Sequence, residues 1–490
     1  MSSGCCGPAA PAEQSAPAVP VQTAPATSSE QVVLSPQLDH LPVAVIGAGP
    51  VGLAAAAHLA ERNLDFLLLE AGEQVGASIA QWGHVRTFSP WKYDIDAAAR
   101  RLLDAGGWTA PDEDWLPTGA ELVEDYLIPL AAHPAIAPHL RLNAKVTGIS
   151  RLGFDRVRTT GRDTAPFVIR LADGTEIAAR AVVDASGTWR TPNVLGASGL
   201  PAHGEHAAAG FVDHALPDVL GADREHYAGK HTLVVGAGHS AATTLLALAA
   251  LAEEAPETRI TWAIRAGSAA RTYGGGAADA LPARGALGTR LRALVETGRI
   301  TLLTAFFTHA VTADGEAVTV ISRDPSGNEQ KVVADRIVAA TGYRPDHAIA
   351  GELRLDLDAI LGSTRALAPL IDPNHHSCGT VPAHGADELA HPEPGYYAVG
   401  VKSYGRAPTF LMATGYEQVR SVVAALAGDW AAARQVQLEL PETGVCSSNL
   451  AEAQETRVGL ATGISGGLLA APLPLASVGA SAESGGGCCG

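Results

Sequence analysis

Cysteine is scarce in this chain: six in 490 residues, with none between Cys6 and Cys378. That gap removes from the body of the protein any CxxC or CxxxxC redox pair. The single Cys378 and Cys446 form no recognisable zinc spacing, even with His375, His376 and His384 beside Cys378, so the cluster reads as a loop with ordinary polar contacts. Basic residues are also few, 34 Lys plus Arg against 51 Asp plus Glu, and none precedes Arg62. A formal charge of -17 argues against general attraction to nucleic acid or anionic lipid. The start of the chain lacks the basic region of a secretory signal and the arginines of a transit peptide, so a cytoplasmic protein is expected. No long apolar run survives inspection: VGLATGISGGLLAAPLPLASVGA, from Val458, is broken by Gly and Pro and reads as tail rather than membrane span. Ala, Pro, Ser, Thr and Gln dominate residues 1–40, and Ala, Gly and Ser dominate after Cys446. Neither end can bury enough surface to offset chain entropy, and both are expected to be disordered.

What is present is a well-formed unit early in the body. In PVAVIGAGPVGLAAAAHLAERNLDFLLLEAG an apolar run, Val43 to Ile46, meets glycines; a helical stretch follows from Pro50 to Arg62; a second apolar run, Phe66 to Leu69, ends in Glu70. Strand, turn, helix, strand is the order of a parallel βαβ unit. Gly47, Gly49 and Gly52 match GxGxxG directly after the first strand. Gly47 allows the tight turn, Gly49 lets backbone approach a pyrophosphate, and Gly52 lets helix and strand pack closely. The helix opened by Pro50 points unpaired amides at the phosphates. Glu70, 23 positions after Gly47, is placed to accept hydrogen bonds from ribose hydroxyls. A ligand-free glycine turn is the plainer alternative, but strand, spacing and acid together favour a dinucleotide.

The pattern returns in KHTLVVGAGHSAATTLLALAALAEEAPETRITWAIRAG, where Gly236, Gly238, Ser240 and Ala241 form GxGxSA and Ser240 offers a hydroxyl to a phosphate oxygen. Here the ribose position holds Arg265, 29 positions after Gly236. A guanidinium suits a 2′-phosphate, which favours NADPH over NADH; a surface arginine at a strand end is the alternative. Opposite ribose readers imply FAD in the first unit and NADPH in the second. The expected fold is α/β, with two Rossmann-like dinucleotide-binding domains, the NAD(P)H domain inserted into the FAD domain, between disordered tails. The boundaries expected are a tail at 1–40, the FAD domain at 41–190 and 335–446, the NADPH domain at 191–334, and a second tail at 447–490. Between the units, Asp173 and Gly174 suggest a hairpin, and helices are expected near Ala97 to Leu103 and Glu121 to Ala132.

Taken together, GAGPVG, GAGHSA, DASGTW (Asp184 to Trp189) and ATGYRPD (Ala340 to Asp346) resemble the two-dinucleotide flavoprotein monooxygenases of the flavin-containing and N-hydroxylating type. The resemblance covers about Leu41 to Cys446. QWGHVRTFSPW, LIDPNHHSCGTV, KSYGRAPTFLMATGYEQVRSV and LPETGVC look more specifically like the bacterial flavoproteins encoded in arsenic-resistance operons. The resemblance implies that DASG and ATGY are the crossings between domains, with Gly187 and Gly342 close to cofactor, and it adds Trp82, Val146 and Gly400 to the FAD site. Gly400 would precede a helix whose N-terminus faces the flavin, and Pro408 fits a helix start. Related disulfide reductases carry Asp after that glycine, whereas here Val401 and Lys402 follow. The FxGxxxH fingerprint of Baeyer–Villiger and flavin-containing monooxygenases is replaced by GFVDHALPDVLG. In QWGHVRTFSPW, His84 and Arg86 are the candidates to hold substrate or flavin oxygens, and Trp82 and Trp91 to wall the site; core aromatics with a structural arginine are the alternative.

Four of the six cysteines stand as adjacent pairs at the ends, Cys5 with Cys6 and Cys488 with Cys489. Burial cannot account for thiols on polar arms, but two neighbouring sulfurs can chelate a soft ion, the second binding at high effective concentration. Mercuric reductase has a similar C-terminal pair, which suggests capture of a thiophilic metalloid. The expected function is therefore an NADPH-dependent FAD monooxygenase acting with O2 on a soft nucleophile, trivalent arsenic included. A reductase in which the tail dithiol delivers a metalloid or disulfide to the flavin, and a metalloid-binding chaperone or sensor with a structural cofactor, stay open as alternatives.

Overall fold

The computed structural model describes residues 35–274, 282–376 and 381–438. The first apolar run forms strand β1 (Val43–Ile46), buried at every position, as befits a strand covered on both faces. The chain turns through Gly47 into helix α1 (Pro50–Glu61) and returns as β2 (Phe66–Leu69), parallel to β1 with Ile46 opposite Leu69. Ala54 to Ala57 have no exposed surface, so the small side chains of α1 let it sit closely enclosed in the core. Helix α2 (Ala97–Ala105) starts where the Asp96 side chain accepts from the Ala99 amide, a side-chain N-cap. β3 (Leu140–Arg141) extends the sheet beside β2. An antiparallel trio follows, β4 (Val146–Arg151), β5 (Phe167–Leu171) and β6 (Glu176–Ala179), with the Asp173–Gly174 hairpin between the last two. β7 (Ala181–Asp184) then enters the parallel sheet on the other side of β1.

The second unit repeats this plan. β8 (Val212–His214) leads into β9 (His231–Val235), α3 (His239–Glu254), β10 (Arg259–Ala263), α4 (Pro282–Glu296) and β11 (Thr301–Leu303). Another antiparallel trio, β12 (Thr308–Asp314), β13 (Ala317–Arg323) and β14 (Glu329–Ala334), precedes β15 (Arg336–Ala339), which pairs with β9. β16 (Tyr396–Ala398) and α5 (Met412–Leu426) belong again to the first unit, β16 beside β7 and α5 against α1. The parallel sheets run β16-β7-β1-β2-β3 and β8-β15-β9-β10-β11, the same arrangement strand for strand, each with the first strand of its glycine motif at the centre.

Two expectations need correction. The first domain is expected to resume at 335, but β15 pairs with β9 and β8, so the second unit's sheet runs through Ala339. The apolar RIVA run fills the place in the second sheet that AVVD of β7 fills in the first. The helix expected from Pro408 starts at Met412, because Gly405 at φ 60° turns the chain after a 3-10 turn at Gly400–Tyr404 and Leu411 remains extended as the N-cap.

Glu393 fastens the first trio to the sheet. Its carboxylate accepts from Arg151 (2.8 Å) and Arg162 (2.9 Å), all three side chains being at most 1% exposed, and from the Arg354 amide. Burial would raise this carboxyl, but its bonds with Arg151, Arg354 and Arg162 hold it below the ordinary glutamate range. Among the described residues no helix is long and apolar enough to cross a membrane. All six cysteines, and with them the paired thiols, lie outside the described residues, as do both expected tails apart from residues 35–40.

Candidate active site

Each glycine motif forms a cradle at the carboxyl end of its central strand. Gly47 has φ 97°, and a Cβ there would come 2.6 Å from the Ala185 carbonyl oxygen; Gly236 has φ 139°, and a Cβ there would come 2.1 Å from the Ala340 carbonyl oxygen. Only glycine fits either place. Gly49 and Gly238 are the N-caps of α1 and α3, neither helix start has a side-chain cap, and a Cβ on either glycine would meet nothing within 4 Å. Open space over unpaired helix amides is what a pyrophosphate requires, so the residues present fit a dinucleotide in both cradles. Gly52 closes the first: a Cβ would lie 1.8 Å from the Gly47 carbonyl oxygen. Ala241, fully buried, takes the equivalent place in the second.

Glu70 is buried, and its carboxylate accepts from the Ala48 amide (2.8 Å) and the Gly72 amide (2.7 Å). It braces the first turn from inside while retaining lone pairs for further donors. In the second unit that bracing comes from elsewhere: Trp262 Nε1 donates to the Gly236 carbonyl (2.7 Å) and Thr272 Oγ1 to the Ala237 carbonyl (3.0 Å).

The two crossings lie side by side. Pro192 and Tyr343 form an antiparallel bridge, Asn193 Nδ2 donates to the Thr341 carbonyl, and Thr341 Oγ1 donates back to the Asn193 carbonyl. Trp189 stacks on Tyr343 with ring centroids 4.9 Å apart and donates from Nε1 to Gln81 Oε1 (2.8 Å). Further along the same loop, Phe88 packs on the His239 ring, 5.1 Å between centroids, at the first turn of α3. The segment after the first cradle thus touches both the crossings and the second cradle.

The other expected residues distribute unevenly. Gly187 (φ 70°), Gly342 (φ 85°) and Gly400 (φ 68°) all occupy the left-handed region; Gly187 approaches Val401 and Gly400 abuts Val51 in the first turn of α1. Val146 is buried at the start of β4. Trp82 is half-buried against Gly119, and His84 is exposed with no partner among the described residues. The Arg86 guanidinium bonds the Leu116 carbonyl, lies 3.7 Å from Glu121 and covers the Trp115 ring, so it holds the 111–121 loop. Trp91 is a core residue, 1% exposed and edge-on to Tyr126. Ser240 is half-buried in the first turn of α3, and Arg265, exposed, donates to the Ala197 carbonyl at 2.9 Å. His384 bonds Gln418 and the Pro382 carbonyl, while His376 bonds the Pro369 carbonyl. Among the described residues no group of three or more His, Cys, Asp or Glu is placed to hold a metal ion.

Sequence reasoning missed Arg271, exposed and without a partner among the described residues, beside the Thr272 that bonds the second turn. Its signal was available as a second arginine soon after the β10 strand. It also missed Lys402 and Asp184, whose buried pair depends on two segments more than two hundred residues apart.

A duplicated cradle of this kind defines an α/β fold with room for one dinucleotide in each unit. The family profile described as pyridine nucleotide-disulphide oxidoreductase matches residues 44–361, and the chain belongs to that family. A ferredoxin–NADP reductase of Granulibacter bethesdensis is 29% identical over 233 residues, 47% of this chain and 53% of that protein. The indole-3-pyruvate monooxygenase YUCCA6 of Arabidopsis thaliana is 30% identical over 199 residues, 40% of this chain and 42% of that protein. The chain thus spans about half the length of the curated relatives it matches. Among solved structures, the bacillithiol disulfide reductase Bdr (YpdA) of Bacillus cereus shares a TM-score of 0.58 at 18% identity over 79% of this chain and 99% of that one. DfoA bound to FAD, a cadaverine monooxygenase of Erwinia amylovora, gives 0.57 at 14% over 82% and 97%. At these identities the likeness is one of fold.

Proposed function

We propose that the protein is a monooxygenase that spends NADPH, through FAD, on oxygenating a soft nucleophile. Gly47, Gly49, Pro50, Gly52 and Glu70 would hold FAD, with Gly187, Gly342 and Gly400 at its borders; Gly236, Gly238, Ser240, Ala241, Arg265 and Arg271 would hold NADPH. The observation that carries the reading is the pair of open cradles joined by the Phe88–His239 contact, in a chain with no cysteine between Cys6 and Cys378. When bound, the two cofactors supply hydride transfer from NADPH to FAD and the reduction of O2 by reduced flavin. The chain's own contribution is placement. Helix amides take the phosphates, Glu70 takes ribose hydroxyls, and Trp189, Tyr343 and Phe88 keep water from the space between the cradles. The arginines at the β10 end take the 2′-phosphate. Arg271→Ala is expected to raise KM for NADPH about tenfold and leave that for NADH unchanged, since only the former carries the extra anion.

For the substrate, the paired thiols Cys5, Cys6, Cys488 and Cys489 support a thiophilic metalloid such as trivalent arsenic. NADPH and O2 consumption measured together on purified protein, with and without a trivalent arsenical, tests both levels. Coupled consumption that rises with the arsenical is expected. NADPH oxidation without O2 uptake would favour the reductase alternative, in which Cys488→Ser with Cys489→Ser stops turnover. Arsenical binding without NADPH use would leave a metalloid chaperone or sensor. Protein without flavin absorbance would end the assignment of the first cradle.

A further inference from the structure

Charge is buried at the base of the first cradle, where the cofactor reading has no use for it. Lys402 Nζ lies 2.7 Å from Asp184 Oδ2, with the two side chains 1% and 0% exposed. Removing both charges from water cancels most of their attraction, and apolar side chains of similar size would fill the place at no such cost. Packing alone therefore gives no reason for the pair. Its position supplies one. Asp184 ends β7 opposite Ile46, the residue before Gly47, and the carbonyl of the next residue, Ala185, is the atom on which Gly47 packs. Lys402 follows two residues after Gly400, which abuts Val51 of α1. Both partners thus sit in segments that wall the cradle.

The two charges are unequally neutralised. Asp184 accepts four bonds: from Lys402, from the Tyr396 hydroxyl (2.9 Å), and from the Ser186 amide (3.1 Å) and hydroxyl (2.6 Å). Lys402 donates to Asp184 and to Ser186 Oγ (3.0 Å), which leaves its third N–H without an acceptor among the described residues. The surplus field is positive. At half-buried His347 the Lys402 charge outweighs the opposing Asp184: burial first, then Lys402, holds the imidazole below the ordinary value.

We propose that Lys402 is a positioning residue for the flavin, clamping the 184–187 crossing to the Gly400 turn and holding a buried positive charge that favours the reduced, electron-rich cofactor over the oxidised one. This rests on FAD occupying the first cradle. The test titrates apoprotein with FAD, oxidised and then reduced, and takes the ratio of the two dissociation constants. Lys402→Met is expected to shift that ratio about tenfold toward oxidised FAD, the size of one unscreened charge at moderate dielectric. Lys402→Arg, which keeps the charge, should restore most of it. Asp184→Asn, which removes the counter-charge, should move the ratio toward reduced FAD. Opposite signs on the two sides of one pair are what a merely structural clamp would not produce. Shifts of the same sign, or none, overturn the proposal. Should Lys402→Met fail to retain flavin, Asp184→Asn alone carries the sign test, and no shift or the wrong sign sinks the idea. Wild-type protein that binds no FAD would instead remove the reading beneath it.

Discussion

The third position of the first cradle is Gly52, where a methyl group would collide with the Gly47 carbonyl, and the same position of the second is Ala241, where a methyl group is already accommodated. The first turn is braced from within by the Glu70 carboxylate, the second by donors from Trp262 and Thr272. One sheet arrangement therefore tolerates two tightnesses of helix against strand, and the tighter one accompanies the buried acid. Exchanging the residues breaks this comparison most directly. Gly52→Ala is expected to cost about 3 kcal/mol, the upper end for overpacking, and to yield protein without flavin absorbance. Ala241→Gly should cost about 1 kcal/mol and leave flavin content intact. Denaturant midpoints and flavin-to-protein absorbance ratios measure both; equal losses would mean the two helices are held alike.

The same contrast explains what could be read beforehand. Where one backbone need admits one residue type, as at Gly47 and Gly236, the sequence announces the turn, and a repeated announcement announces the duplicated α/β fold. Short buried strands such as Val43–Ile46 and Phe66–Leu69 are equally plain, because nothing but apolar residues survives on both faces. Side-chain roles were far less legible. Arg86 has the right chemistry for a site and is drawn off by Leu116, Glu121 and Trp115, residues about thirty positions away. The Lys402–Asp184 pair and the Trp189–Tyr343 stack exist only once the crossings meet, and no local pattern encodes that meeting. β15 joined the wrong unit for the same reason: an apolar tetrapeptide carries no label for the sheet it completes.

The antiparallel trios extend the comparison. The first is fastened by Glu393 between two buried arginines, and removing one partner of such a cluster leaves charge without compensation. Glu393→Ala is expected to cost about 3–5 kcal/mol. The sign of its pH dependence follows from its carboxyl being held below the ordinary range: the contribution is complete above the ordinary glutamate value and is lost as pH falls through the depressed one. A Glu393→Gln variant should therefore show a flatter acid limb in thermal melts than wild type.

Buried histidines act in the same direction. His391 is held down to about 4 by burial, and His384 and His347 are lowered by burial too, all three in the first unit; His231 is lowered in the second. A histidine depressed in the fold takes up its proton more readily when unfolded, so stability falls as pH drops from 6.5 toward about 4. Three such groups gathered in the first unit predict that acid loosens it early. Amide exchange in β1 and β7 should accelerate at a higher pH than in β9 and β10; the reverse order would reject the assignment of acid sensitivity to these residues.

The smallest effect is expected where the second trio carries its own ion pair. Arg323 and Glu329 face each other across β13 and β14 at 2.7 Å, a distance as short as any in the buried cluster, yet both side chains are open to water. The arginine bonds lower the Glu329 carboxyl, but solvent screens the attraction and each long side chain gives up entropy to hold the geometry. Distance alone would rank this pair with Glu393; exposure ranks it far below. Glu329→Gln should leave the melting temperature unchanged within error and add no curvature to the acid limb. A loss comparable to that of Glu393→Ala would mean that β13–β14 is covered in solution by a surface the isolated chain does not show, and the contrast between the trios would then reflect assembly rather than burial within one chain.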